Sequence, residues 1–296
     1  MQISQVNQQN SANIKQKKNR NIGKSIAAAT LGSCAQMMSL PLSLGIINRM
    51  RKMGQLPSDK VEIMHNAAEK ALIDTGLSNK GVKIKYLQRK ADNISLPQIL
   101  KVLNPIEQIK DGKNAAFLNK DLKNSITKQL LFPQNMILMP KKDISFAAFH
   151  EIGHALNYNF SKAGKILQKM RTPMIAIAGF IALYGAFTQN SKPEDGKELD
   201  KKQKAKNFIR NNAGNLSAAM MIPILIEEAI ATIKGQKLAN KLLSKDMAKI
   251  VSKGTKIAYL SYIIAALSLG VSSYATVKIK DYLVAQNENI SDNMVV

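Results

Sequence analysis

The residues best suited to chemistry are His150, Glu151 and His154, in a stretch that reads His150-Glu151-Ile152-Gly153-His154, or H-E-x-x-H. Residues four apart on a helix lie one turn above each other on a single face. Two imidazole nitrogens at that spacing can share one zinc ion. Glu151, one position round the helix, then stands where it can take a proton from a water that the metal has acidified. The chain has three histidines, and two of them lie in this pattern. The plainer alternative is a pair of satisfied histidines on an ordinary helix.

A catalytic zinc needs three protein ligands and an open position. No third histidine follows at the H-E-x-x-H-x-x-G-x-x-H spacing; Asn157 and Ser161 stand nearby instead. The one cysteine, Cys34, is remote and inside an apolar run, and it excludes a disulfide framework or a thiolate cage. Of the downstream glutamates, Glu194 and Glu198 lie in a polar stretch and Glu288 is near the C-terminus. Glu227 and Glu228 instead close an apolar stretch, where an unpaired carboxylate is costly. Either could be the third ligand, the rival being that both mark the polar end of a helix. Two apolar stretches, 173–188 and 213–226, separate them from the histidines. Two membrane crossings would form a hairpin and return the chain to its starting side.

The elements that must position these groups follow from patterning. Residues 1–24 are polar and basic, a tail without a core. Residues 26–47 carry no charge and are long enough for a bilayer span. Between 53 and 142 the chain has soluble character. Val61, Met64, Ala68, Ala71 and Leu72 recur at helical spacing after Pro57-Ser58-Asp59. Residues 82–87, 114–118 and 135–139 read as strands, with Asp143 or Ser145 as the cap of the H-E-x-x-H helix. Residues 191–212 read as a charged loop. From Lys234 to Lys256, lysines about every four residues suggest a helix on a lipid surface. Residues 257–277 form the cleanest span, and the last residues read as a polar tail. With 43 Lys+Arg against 20 Asp+Glu, the net charge of +23 suggests nucleic acid or an anionic membrane. The chain has no Trp and no aromatic-rich strand for stacking bases, so no nucleic-acid partner is expected, and the long uncharged runs favour lipid.

Three elements together resemble the membrane-embedded gluzincins, the HtpX-like and CAAX-prenyl-protease group of zinc metallopeptidases. Asn114-Ala115-Ala116-Phe117 is similar to their N-A-F element. Phe149 to Leu156 carries H-E-x-x-H, and Glu228-Ala229-Ile230-Ala231-Thr232 is similar to E-x-x-A-D. The resemblance covers roughly residues 110–235. It implies an α-rich α+β fold: a zincin-like catalytic domain with a small sheet, combined with three to four transmembrane helices. The expected organisation is a basic tail (1–24), an N-terminal membrane helix (25–50), the catalytic domain (51–170), an apolar hairpin carrying the third ligand (171–235), and a basic segment with a C-terminal membrane helix (236–296). It further implies that His150, His154 and Glu228 (alternatively Glu227) hold Zn²⁺ and that Glu151 is the catalytic base. The implied partners are a peptide substrate and anionic lipids. Thr232 stands where the family has an aspartate beside a histidine ligand. The expected activity is membrane-bound, zinc-dependent peptide hydrolysis. The rivals are an inactive membrane-anchored interaction protein and a basic module bound peripherally to membranes.

Overall fold

The computed structural model describes residues 22–33, 40–88, 105–121, 134–193 and 198–292. The basic tail up to residue 21, Cys34 and Glu194 lie outside the described residues, as do positions 34–39 of the expected first span. That run is otherwise helical on both sides, in α1 (22–33) and α2 (Leu40–Gly54).

The chain divides into two compact units. One comprises residues 42–171 and 223–263. It contains α3 (Ser58–Asp74), β1 (Lys83–Leu87), α4 (Pro105–Lys110), β2 (Ala116–Leu118), β3 (Met136–Pro140) and α5 (Ala147–Phe160). It also holds the first part of α6 (Lys162–Phe187), most of α9 (Ile222–Leu242) and the start of α10 (Lys245–Asp292). The sheet order is β1-β3-β2, with β1 parallel and β2 antiparallel to β3. β3 is central, and Ile137, Leu138 and Met139 are buried, as a strand covered on both faces requires. Met64, Ala68 and Leu72 of α3, Ile137 and Met139 of β3, and Phe149 and Ile152 of α5 share one apolar core. The 3.6-residue pattern read from Val61 to Leu72 is the buried face of α3.

Two glycines set the distance between α5 and α9. A side-chain carbon on Gly153 would collide with the Ala231 carbonyl, and one on Gly235 with the Phe149 carbonyl. The helices therefore approach backbone to backbone, which lets short histidine and glutamate side chains meet between them.

The second unit contains α1, the remainder of α6, α7 (Lys201–Asn211), α8 (Ala213–Ala219) and the end of α10. Here the C-terminus of α6 is closed by buried cations. Lys280 Nζ donates to the carbonyls of Ala186 (2.8 Å) and Thr188 (2.9 Å), and Arg210 Nε donates to Thr188 (2.9 Å). Arg210 also pairs with Asp281. Positive charge at a helix C-terminus satisfies orphan carbonyls and complements the helix dipole.

Among the described residues, three stretches are long and apolar enough to cross a membrane: Lys162–Phe187, Ala213–Leu242 and Lys245–Ala285. They contain the later apolar runs 213–226 and 257–277 expected from sequence, and the run 173–188 up to Phe187. Phe180, Leu183, Phe187, Leu267 and Val271 on them are exposed, as lipid-facing residues would be.

Three local expectations are corrected. Neither Asp143 nor Ser145 caps α5: its N-cap is Phe146, with no side-chain hydrogen bond. The Ser145 hydroxyl is buried and turned to Met64 Sδ (3.4 Å), while Ala147 N and Ala148 N already donate to the carbonyls of Ile144 and Ser145. The 191–212 stretch contains α7, begun by a capping box in which Asp200 and Gln203 bond each other's backbone. The C-terminal residues read as a tail continue α10 as far as Asp292.

Candidate metal centre

α5 places His150 and His154 one turn apart, with their rings edge to face and centroids 4.6 Å apart. α9 supplies Glu227, Glu228 and Thr232, all buried. His150 Nε2 is 3.0 Å from His154 Nε2 and 3.1 Å from Glu228 Oε2, and His154 Nε2 is 3.5 Å from the same oxygen. Donors at 2.0–2.1 Å from a tetrahedral zinc stand about 3.3 Å apart, so the triangle has the right size for one ion.

The far sides of both rings are engaged. His154 Nδ1 lies 2.8 Å from Glu227 Oε1, a carboxylate oxygen that can only accept, so Nδ1 carries the proton. His150 Nδ1 lies 3.2 Å from Thr232 Oγ1. With the Thr232 hydroxyl as acceptor, His150 takes the same tautomer. Both Nε2 lone pairs then point at each other and at a carboxylate oxygen. Three acceptors converging in a buried space call for a shared cation. Burial, the largest single effect, would lower the His154 pKa, but the Glu228 and Glu227 carboxylates outweigh it and hold it well above that of a free imidazole. The pocket therefore favours a positive charge between these groups, which a proton or a metal ion supplies.

Side chains not singled out in the sequence complete the site. Asn157 Nδ2 and Gln168 Nε2 donate to Glu227 Oε1 at 3.1 and 3.0 Å, fixing it behind His154. Arg171 Nη2 donates to Glu228 Oε1. Asn157 was legible, since it lies one turn beyond His154 on the motif's own face. Gln168 and Arg171 belong to α6, and no local pattern ties them to the motif.

Glu151 Oε2 accepts the backbone N–H of Phe117 at 2.6 Å. β2 is an edge strand paired with β3 on one side, so this N–H lies on its outer side, away from β3. A cleft lined by Asn114, Ala115, Phe146, His150, Glu151 and Tyr262 opens there. The Asn114–Phe117 segment thus runs alongside the H-E-x-x-H helix.

Among the described residues, two buried groups could hold a metal ion: His150 with Glu151 and His154, and His154 with Glu227 and Glu228. Glu198 instead pairs with Lys204 at the surface. The third histidine, His65, stacks on Tyr86 and belongs to neither group. No family model, no curated protein and no solved structure matches the chain.

Proposed function

We propose that the chain is an integral-membrane zinc endopeptidase, with His150, His154 and Glu228 as metal ligands and Glu151 as general base. The observation that carries the reading is the meeting of three acceptor atoms whose histidine tautomers are set from behind. Of the two glutamates that remained open from sequence, Glu228 presents an oxygen to both Nε2 atoms, whereas Glu227 faces the back of His154. Two nitrogens and one oxygen form the donor set of catalytic zinc sites.

Zinc held there would supply a Lewis acid for a substrate carbonyl and would acidify a water beside Glu151. The Phe117 N–H holds Oε2 of Glu151, which leaves Oε1 to take a proton from that water and hand it to the leaving amine. An extended peptide would enter the cleft beside Asn114 and Ala115, with its scissile bond brought to Glu151. Tyr262 lines the same cleft beside Arg171, and its hydroxyl would donate to the developing oxyanion. The three long apolar helices support a membrane location. Exposed Lys237, Lys241, Lys245, Lys249 and Lys253 support anionic lipid as a partner.

The test is metal analysis and peptide hydrolysis on detergent-purified protein. Wild type should hold one zinc per chain and His154→Ala none. Glu151→Gln should keep its zinc and lose hydrolysis, because an amide cannot take the proton. An active Glu151→Gln protein would end this mechanism, and a zinc-free wild type would end the metal reading.

A further inference from the structure

The Glu228 carboxylate is fully buried, and its two oxygens have different partners. Oε2 faces the histidine nitrogens, at 3.1 and 3.5 Å. Oε1 receives Arg171 Nη2. The guanidinium is fixed by more than this bond. Its Nη1 lies 3.8 Å from Glu227 Oε2, and its carbon lies 5.4 Å from the centre of the Tyr262 ring.

We propose that Arg171 is a positioning residue that restricts Glu228 to a single metal-facing oxygen. The inference rests on the metal reading above and deepens it. A carboxylate can offer a metal one oxygen or two. Two would fill the position that a catalytic site keeps open for water and substrate. Glu228 is fully buried, so the group that stands beside Oε1 decides the outcome. A planar guanidinium with several donors holds that oxygen in a fixed direction, which a lysine ammonium, a point charge on a flexible stem, does not. Charge balance for two buried glutamates is a different role, and a lysine at this position would fill it.

Cobalt substitution separates the two roles, because the strength of the visible bands of Co(II) reports coordination number independently of any activity. Wild type loaded with one Co(II) should give the strong bands of a four-coordinate ion. Arg171→Met and Arg171→Lys should each give bands several-fold weaker, as Glu228 turns its second oxygen to the metal. Removing the cation from two buried carboxylates endangers folding. If Arg171→Met does not fold, Arg171→Lys decides alone. Wild-type bands in either folded variant overturn the positioning role and leave the metal site standing. Failure of wild type to take up cobalt overturns both.

Discussion

Thr232 and Glu227 perform the same task with unlike chemistry. Each stands behind one histidine of α5, a hydroxyl behind His150 and a carboxylate behind His154. A carboxylate raises imidazole basicity more than a hydroxyl does, and loss of such a partner costs about 10–100-fold in metal affinity. Thr232→Asp should therefore tighten zinc binding and Thr232→Val weaken it. Glu227→Gln should weaken it through His154, without abolishing it as Glu228→Ala should. A chelator-competition titration across these variants checks the order, and equal affinities throughout would remove both residues from the site. The histidine pair and Glu151 were legible in the sequence because their spacing lies on one helix. The division of labour between Glu227 and Glu228 was not. Adjacent helical residues point about 100° apart, and which of them faces α5 is set by packing at Gly153 and Gly235.

The elements around the site were legible where burial has one period. β1, β2 and β3 lie within a residue or two of the stretches expected, because alternation or a short apolar run with a stop signal marks each. The start of α5 was not legible, because the turn before it is made by backbone rather than by a cap. Ile144 adopts φ 44°, a conformation that a β-branched residue occupies only under strain, and it is buried against the core. Two effects compete there. Ile144→Ala loses packing and keeps the unfavourable backbone. Ile144→Gly loses one methyl more but relieves a strain of about 1–3 kcal/mol. The glycine variant should be the more stable of the two by roughly 1 kcal/mol, the reverse of the usual order. Thermal unfolding of both in the same detergent measures this, and an alanine variant at least as stable would mean that the turn is unstrained. α7 was missed for another reason: the charge-rich stretch from Lys192 to Arg210 hid the Asp200-x-x-Gln203 pattern that begins it.

At the scale of the whole molecule, the sequence showed its apolar runs plainly but not how they are shared. The chain passes between its two units four times, and three of those boundaries fall beside Pro41, Pro173 or Pro223. Pro173 lies inside α6 and removes a helical hydrogen bond, so that helix can bend there at lower cost. Pro41 and Pro223 instead stand in the first turns of α2 and α9, where the N–H has no intrahelical partner to lose. A hydropathy window reads α6 as one span and has no means of placing its first turns, with Gln168 and Arg171, in the unit that contains the histidines. Buried charge was likewise invisible from composition. Arg210 and Lys280 count among 43 basic residues, yet both are buried and close the end of α6.

The glycine crossing of α5 and α9 has a thermodynamic consequence. The proposed ligands His154 and Glu228 are far apart in sequence and stand on the two helices that meet at this crossing. An ion bound by both helices would close that long loop and act as a clasp. A ligand bound only by the folded state stabilises it by RT ln(1 + [L]/Kd), about 4 kcal/mol at a thousandfold excess over Kd. A chelator should then act as a denaturant as well as an inhibitor. The melting temperature of wild type should fall on metal removal and recover with added zinc, while that of His154→Ala should respond to neither.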